Sequence, residues 1–269
     1  MTAEEQPRLY GERPRVTQDQ IVVGLKAVGI AAGDTVLAHS SLSAFGHVEG
    51  GADAVIDALL TAIGPEGTLV LPTFTWSAFH DKERVVFDLA NTPCETGRIP
   101  ETFRHRPGVV RSAHVCHSVA VCGPHAQACL GDGVHPFGRG SSFDALCRLN
   151  AWNLLMGVTF SSCTALHSAE ELEQVPYRAY RDFRGSEVEY PDGRRAPCAS
   201  VEYLRQDGAH SDFEKAEALF AEAGVLRIAR VGNARLINSR IRDVIHGARA
   251  WLRKDAYFLS RWPVKKPVA

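Results

Sequence analysis

The chain has 269 residues, 45% of them hydrophobic and 23% charged, enough to bury a sizeable core as one large or two small domains. Lys and Arg total 30 against 31 Asp and Glu, a formal net charge of -1, so there is no basic excess of the kind a general nucleic-acid binder shows. No apolar run approaches the roughly 20 residues of a membrane span, and the polar start MTAEEQPRLYGERPR lacks the apolar core of a signal peptide. A soluble, cytoplasmic protein is expected, with neither nucleic acid nor membrane as a partner. The seven cysteines form no CxxC pair. They read as reduced thiols, most of them small hydrophobes in the core.

Residues 1–15 mix Glu, Arg and Pro without periodicity and read as a flexible segment; residues 16–269 read as one domain. Thr17 is placed to cap a helix whose Ile21, Leu25 and Val28 recur at helical spacing. TVLAH is a short buried strand, GGADAVIDALLTAIG an amphipathic helix and TLVLPTFTW a second strand. Strand, helix and strand at this spacing make a βαβ unit with a parallel pair. WSAFHDKERVVFDLANTPCETG shows no clean period. IPETFRHR predicts a short helix, SVAVCG a strand, SFDALCRL a helix and WNLLMGV a strand. CTALHSAEELEQV predicts a helix ended by Pro176, and SEVEYPDGRRAPCASVEYL a hairpin about Pro-Asp-Gly. DFEKAEALFAEAG is a helix, VLRIARVGNARLINS two strands about Gly-Asn, and DVIHGARAWLRKD a last helix. The fold class is a single α/β domain with a central mixed sheet. That sheet is parallel-type in the first half and antiparallel in the C-terminal third, with helices on both faces.

Three clusters could carry chemistry. In the first, strand TVLAH stops at His39 and is followed by Ser40, Ser41, Ser43 and Gly46. Ligands of open α/β sheets gather at the carboxyl ends of strands, where hydroxyls and free N–H groups hold phosphate oxygens. The alternative is an ordinary polar loop bonding its own backbone. In the second, His167 and Glu170 are three apart and share a helix face. A carboxylate beside an imidazole fixes its tautomer, as a general base requires; the alternative is a surface ion pair. In the third, Arg111, Ser112, His114, His117 and Ser118 precede a strand. Anion binding by Arg111, a metal site and a plain polar loop compete there. The metal is disfavoured, because His114 and His117 lack a partnering carboxylate or thiolate pattern. Cys163, four residues before His167, could instead be an acyl-transfer nucleophile with that histidine as its base.

Four blocks taken together are more specific: HSSLSAFG at 39–46; GTLVLPTFTW at 67–76 with FDLANTPCETGRIPETFR at 87–104; PGVVRSAHVCHSVAVCGPHA at 107–126; and LLMGVTFSSCTALHSAEELEQVPY at 154–177. In order and spacing they resemble the aminoglycoside 3-N-acetyltransferase family, whose antibiotic N-acetyltransferase fold is distinct from the GNAT fold. The resemblance covers about residues 16–180. It implies direct transfer of acetyl from acetyl-CoA to a small-molecule amine without a metal. It makes His167 the base and Glu170 its orienter. The thioester oxyanion needs donors in place, and the Thr164 hydroxyl or backbone N–H groups after TVLAH are candidates. The resemblance places His39, Ser40, Ser41, Leu42, Phe45 and Gly46 along coenzyme A, and Arg111, Ser112, His117 and Ser118 near its phosphates or thioester. The acceptor it implies is an aminoglycoside or a related amine. A biosynthetic acyltransferase or thioesterase working through Cys163 is the alternative. The stretch Thr159, Phe160, Ser161, Ser162 and Cys163 departs from the family, which commonly places polar residues there, one of them acidic. The sequence leaves the oligomeric state open, a homodimer being one option.

Overall fold

The computed structural model describes residues 13–80, 85–206 and 208–261. Its principal strands are β1 Thr35–Ser40, β2 Thr68–Pro72, β3 Val110–Arg111, β4 Val119–Cys122, β5 Trp152–Met156, β6 Arg178–Asp182, β7 Val201–Arg205, β8 Arg227–Val231 and β9 Ala234–Arg240. Its principal helices are α1 Gln18–Ala27, α2 Gly51–Ile63, α3 Arg98–Phe103, α4 Ser142–Arg148, α5 Ala165–Leu172, α6 Glu214–Glu222 and α7 Ile241–Leu252.

Seven strands form the central sheet in the order β8-β9-β5-β1-β2-β4-β3. β1 lies parallel to β2 on one side and to β5 on the other, so the β1-α2-β2 unit is a parallel crossover as the spacing predicts. The Gly-Asn hairpin pairs β8 with β9 antiparallel, and β9 pairs antiparallel with β5. Antiparallel pairing is not confined to the C-terminal third, because β4 also runs antiparallel to β2. A long excursion from residue 73 to 118 separates these two strands and lets the chain re-enter the sheet from the opposite end.

The pleat divides the core into two layers. Leu37, Val70 and Leu155 point to the layer under α5 and α7. Val36, Ala38, Leu69, Leu71, Leu154 and Met156 point to the layer under α1 and α2. Burial of each such aliphatic side chain contributes about 1.5–3 kcal/mol. α1 starts at a capping box, Thr17 accepting from the Gln20 backbone while the Gln20 side chain accepts from Thr17. α7 buries Ile241, Val244, Ile245, Ala248 and Leu252 on one face.

Some elements differ from expectation. The segment without a clean period contains a strand, Val86–Asp88, which pairs parallel with Glu187–Glu189. That strand in turn forms the Pro-Asp-Gly hairpin with Arg195–Pro197. The predicted second arm of the hairpin is therefore divided, since Val201–Arg205 leaves to pair with β6. The expected N-terminal segment falls mostly outside the described residues, but Arg15–Val16 pairs with His47–Val48. Among the described residues no helix is long and apolar enough to cross a membrane.

Candidate active site

Two adjacent parallel strands set the site. β1 and β5 run side by side with His39 opposite Leu155 and Ser40 opposite Met156, so their carboxyl ends open at the same edge of the sheet. After β5 the chain turns at Gly157, whose φ is +68°. A Cβ there would stand 2.5 Å from Ala44 Cβ, so only glycine lets this turn lie against the serine loop. A short 3-10 turn, Phe160–Ser162, and Thr164 then lead into α5. α5 is shorter than the sequence suggests: it ends at Leu172, and Gln174 follows in the left-handed region with φ 50°.

His167 and Glu170 meet on α5 as their spacing requires. His167 Nδ1 lies 2.6 Å from Glu170 Oε2. Glu170 is fully buried, and its other oxygen accepts from the Tyr177 hydroxyl at 2.8 Å. Arg178 Nε stands 2.9 Å from Glu170 Oε2, and Arg178 Nη2 lies 3.1 Å from His167 Nδ1. A guanidinium only donates. If Nδ1 accepted from it, two acceptors would face each other at 2.6 Å. The consistent assignment is an Nδ1–H donated to Glu170, with Arg178 paired to the same carboxylate. Nε2 is then left as a lone-pair acceptor, with no bond to any described protein group. Burial raises the Glu170 pKa, but Arg178, His167 and Tyr177 outweigh it, and the net shift is downward. Burial and the Arg178 charge push His167 down to about 4 against the pull of Glu170. The imidazole is thus neutral at neutral pH.

Three adjoining cavities lie along this edge, and two of them reach the imidazole. The outermost, 930 Å³, is lined by Ser40, Ser41, Leu42, Gly46, Gly50, Gly51, Thr96 and Arg98 among others. The middle one, 360 Å³, holds His39, Ser40, Phe74, His117, Thr164 and His167. The third, 510 Å³, holds His117, Phe137, His167, Arg178, Glu202, Arg205 and Ser211. Half-exposed Trp76 lines all three. The imidazole therefore faces the crevice that contains the serine loop. In the middle cavity His39 Nε2 and Ser40 Oγ are buried and lack any protein hydrogen-bond partner. Burial and the nearby His167 ring lower His39 to about 4. Ser41 N–H, one of the backbone donors expected after β1, is spent on Met156 O at 3.0 Å.

The other expected residues fall elsewhere. Arg111 donates to the Thr92 and Thr73 carbonyls at 2.6 and 2.8 Å and to the Ser118 hydroxyl at 3.1 Å, and it stacks over Phe87. Burial and Arg104 lower its pKa to about 10, which leaves it charged. Ser112 accepts from Val119 N, and Ser118 donates to Thr73 O. Arg111 and Ser112 line a separate cavity of 710 Å³, and Phe45 is wholly buried in the core beneath the loop. Arg111, Ser112, Ser118 and Phe45 are therefore not among the residues that line these three cavities. A cationic or hydroxyl side chain beside histidines looks the same in sequence whether its donors are spent or free. His114 accepts from the Cys116 and His117 backbones and donates to Val201 O, so it too is scaffold. Cys163 is buried in the core cluster, and burial raises its thiol to about 12. It lines none of the three cavities, which removes the physical basis for a Cys163 nucleophile.

Sequence reasoning missed Tyr177, Arg178, Glu202 and Phe137. Glu202 Oε2 lies 3.1 Å from His117 Nδ1, both of them buried. Phe137 stands between the two imidazoles, its ring centroid 4.4 Å from His117 and 4.9 Å from His167. Glu202 and Arg178 reach the crevice because β6 pairs with β7, a pairing no motif announces.

A family model described as aminoglycoside 3-N-acetyltransferase matches residues 37–253. The chain belongs to this family, whose members are acyltransferases. It is 31% identical over 272 residues to aminoglycoside N(3)-acetyltransferase VII of Streptomyces paromomycinus, covering 89% of this chain and 92% of that one. Among solved structures it is similar to aminoglycoside acetyltransferase AAC(3)-Xa, with TM-score 0.76, 30% identity and coverage of 89% and 93%. It is also similar to a histidine-to-alanine mutant of aminoglycoside acetyltransferase AAC(3)-IVa in complex with a gentamicin. There the TM-score is 0.78, the identity 27% and the coverage 93% of each chain.

Proposed function

We propose that this family member moves an acetyl group directly from acetyl-CoA onto an amine of an aminoglycoside or related small molecule, with His167 as general base and Glu170 as its orienter. The observation that carries the reading is the 2.6 Å contact from His167 Nδ1 to a wholly buried carboxylate, which leaves Nε2 turned to the crevice shared with Ser40.

The outer cavity suits the coenzyme. Its wall includes Gly50 and Gly51, where the 13-residue α2 begins without a side-chain cap, so N–H groups and the positive end of the helix face an anion there. Ser41 and Arg98 add donors. His39 Nε2 and Ser40 Oγ, buried without protein partners, supply polar contacts where this cavity meets the middle one. Bound there, the coenzyme would supply an acetyl thioester.

An alkylammonium has a pKa of about 10 in water and must lose a proton before it attacks. With that first proton lost to solvent, His167 Nε2 takes a second one from the amine nitrogen as it bonds to the acetyl carbon, and the carbon–sulfur bond breaks. The proton is then available to the departing thiolate. Glu170 supports the imidazolium as it forms, and Tyr177 and Arg178 hold that carboxylate in place. The hydroxyls of Ser40 and Thr164 line the same cavity and are the candidate donors to the carbonyl oxygen as it gains charge.

The test is His167→Ala. Thiol release from acetyl-CoA with an amine acceptor should fall by about 10²-fold or more, while coenzyme A binding measured by calorimetry is retained. Wild-type turnover in this variant would refute the assignment.

A further inference from the structure

Four residues line both the middle and the third cavity: Trp76, His117, Ser161 and His167. Of these, only the two histidines exchange protons readily. They stand at the junction where a thioester reaching in past the serine loop would meet an amine held in the third cavity. Phe74 packs edge-on against His117 at 4.8 Å, and Phe137 lies against it at 4.4 Å, so its ring plane is fixed on both sides.

Both imidazoles turn Nδ1 to a buried carboxylate, His167 to Glu170 at 2.6 Å and His117 to Glu202 at 3.1 Å. The two pairs differ in charge. Glu170 has Arg178 as its cation, which leaves His167 neutral. The ion-pair partner of Glu202 is the His117 ring, and a carboxylate this deeply buried needs a positive group against it. Burial raises the Glu202 pKa, but His117, ahead of His114 and the Tyr203 N–H, outweighs it and the net shift is downward. With Nδ1 committed to Glu202, proton exchange with a ligand falls to Nε2.

We propose that His117 is the acid of the reaction: its imidazolium, held by Glu202, donates a proton through Nε2 to the coenzyme A sulfur as the carbon–sulfur bond breaks. This rests on the acetyl-transfer reading and divides its proton work between two rings. His167 takes a proton from the amine nitrogen as the carbon–nitrogen bond forms. The electron pair of the carbon–sulfur bond goes to sulfur, which takes the His117 proton. His167 then loses one proton to solvent and His117 regains one, and the products are the N-acetyl amine and the free thiol. An alkyl thiol ionises at about pH 8.5, so without this donor sulfur would leave as an anion into a largely enclosed site, where an uncompensated charge is costly.

The experiment changes the leaving group. Transfer to gentamicin, or to the most reactive amine of a panel, is followed for wild type, His117→Asn and His167→Ala. The donors are acetyl-CoA and p-nitrophenyl thioacetate, whose arylthiolate departs without a proton. Asn keeps an N–H donor where Nδ1 meets Glu202 and removes Nε2. With acetyl-CoA the kcat/KM of His117→Asn should fall by about 10²-fold or more, and with the aryl thioester it should stay within about threefold of wild type. His167→Ala should be slow with both donors. An equal loss of His117→Asn with both donors would make the ring structural, and an undiminished rate with acetyl-CoA would deny it a role; either result overturns the inference. A second measurement needs neither transfer nor a folded variant. At about pH 8.5, calorimetry on the wild type should show coenzyme A binding about tenfold more tightly than desulfo-coenzyme A, because the sulfur meets a charged donor. If no amine accepts acetyl, the transfer reading fails on its own, and equal affinities for the two coenzymes would overturn the role of His117 as well.

Discussion

Two segments of this chain look alike in sequence and differ in the folded molecule. Residues 111–118 and 163–170 each combine histidine with small hydroxyl residues and one charged side chain next to a strand of the central sheet. In the first, Arg111, Ser112, His114 and Ser118 spend their donors and acceptors on backbone carbonyls, backbone N–H groups and one another. In the second, one side of an imidazole is fixed by a buried carboxylate and the other opens on a crevice. Functional polarity is recognised by what remains unsatisfied after folding, not by the residue types present.

The contrast breaks most decisively at Arg111. Arg111→Ala leaves the Thr73 and Thr92 carbonyls short of a charged donor and should destabilise the fold by about 2–4 kcal/mol. Calorimetric affinity for coenzyme A should be unchanged. Weakened coenzyme binding with an unchanged Tm would bring Arg111 to the ligand site beside His117 and erase the difference.

Acid sharpens the same comparison. His39, His114 and His167 have folded pKa values lowered from 6.5 to about 4. Between these values the unfolded chain binds more protons, so stability should fall as pH drops from 6.5 toward 4. Thermal melts down this range should show Tm declining before the ordinary carboxylates titrate. His114→Gln should flatten part of that decline without altering turnover of the folded enzyme, since His114 belongs to the scaffold. A Tm independent of pH above about 5 would show that these rings are not buried in the neutral form.

The smallest effect is expected at Cys163, inside the second segment but facing the core. Cys163→Ser should cost about 1 kcal/mol of stability by placing a hydroxyl among apolar neighbours, with turnover close to wild type. Mass spectrometry after exposure to acetyl-CoA should find no adduct on this residue. An acetylated Cys163, or loss of turnover with the fold retained, would move the chemistry onto the thiol.

The sheet and its layers were legible because β1, β2 and β5 are apolar runs bounded by turns, and α1 and α7 repeat at helical spacing. The His167–Glu170 contact was legible because positions three apart on a helix share a face. The three-residue strand Val86–Asp88 was not, because it is too short to show a period and its partner Glu187–Glu189 lies far along the chain. Glu202, Arg178 and Tyr177 were missed for a related reason. Their roles depend on the β6–β7 pairing and on how the chain bends after α5, which only tertiary contact fixes. The bonds that Arg111 makes to Thr73, Thr92 and Ser118 have no local signal either, because no sequence pattern reports whether a guanidinium's donors are already used.

The burial of Glu170 bears on how such a protein can vary. Glu170 has no solvent exposure, and His167, Tyr177 and Arg178 all lean on it. Half-exposed Trp76, which borders all three cavities, is under no such constraint. Exchange at the mouth therefore costs little, whereas any change of that carboxylate strands three partners at once.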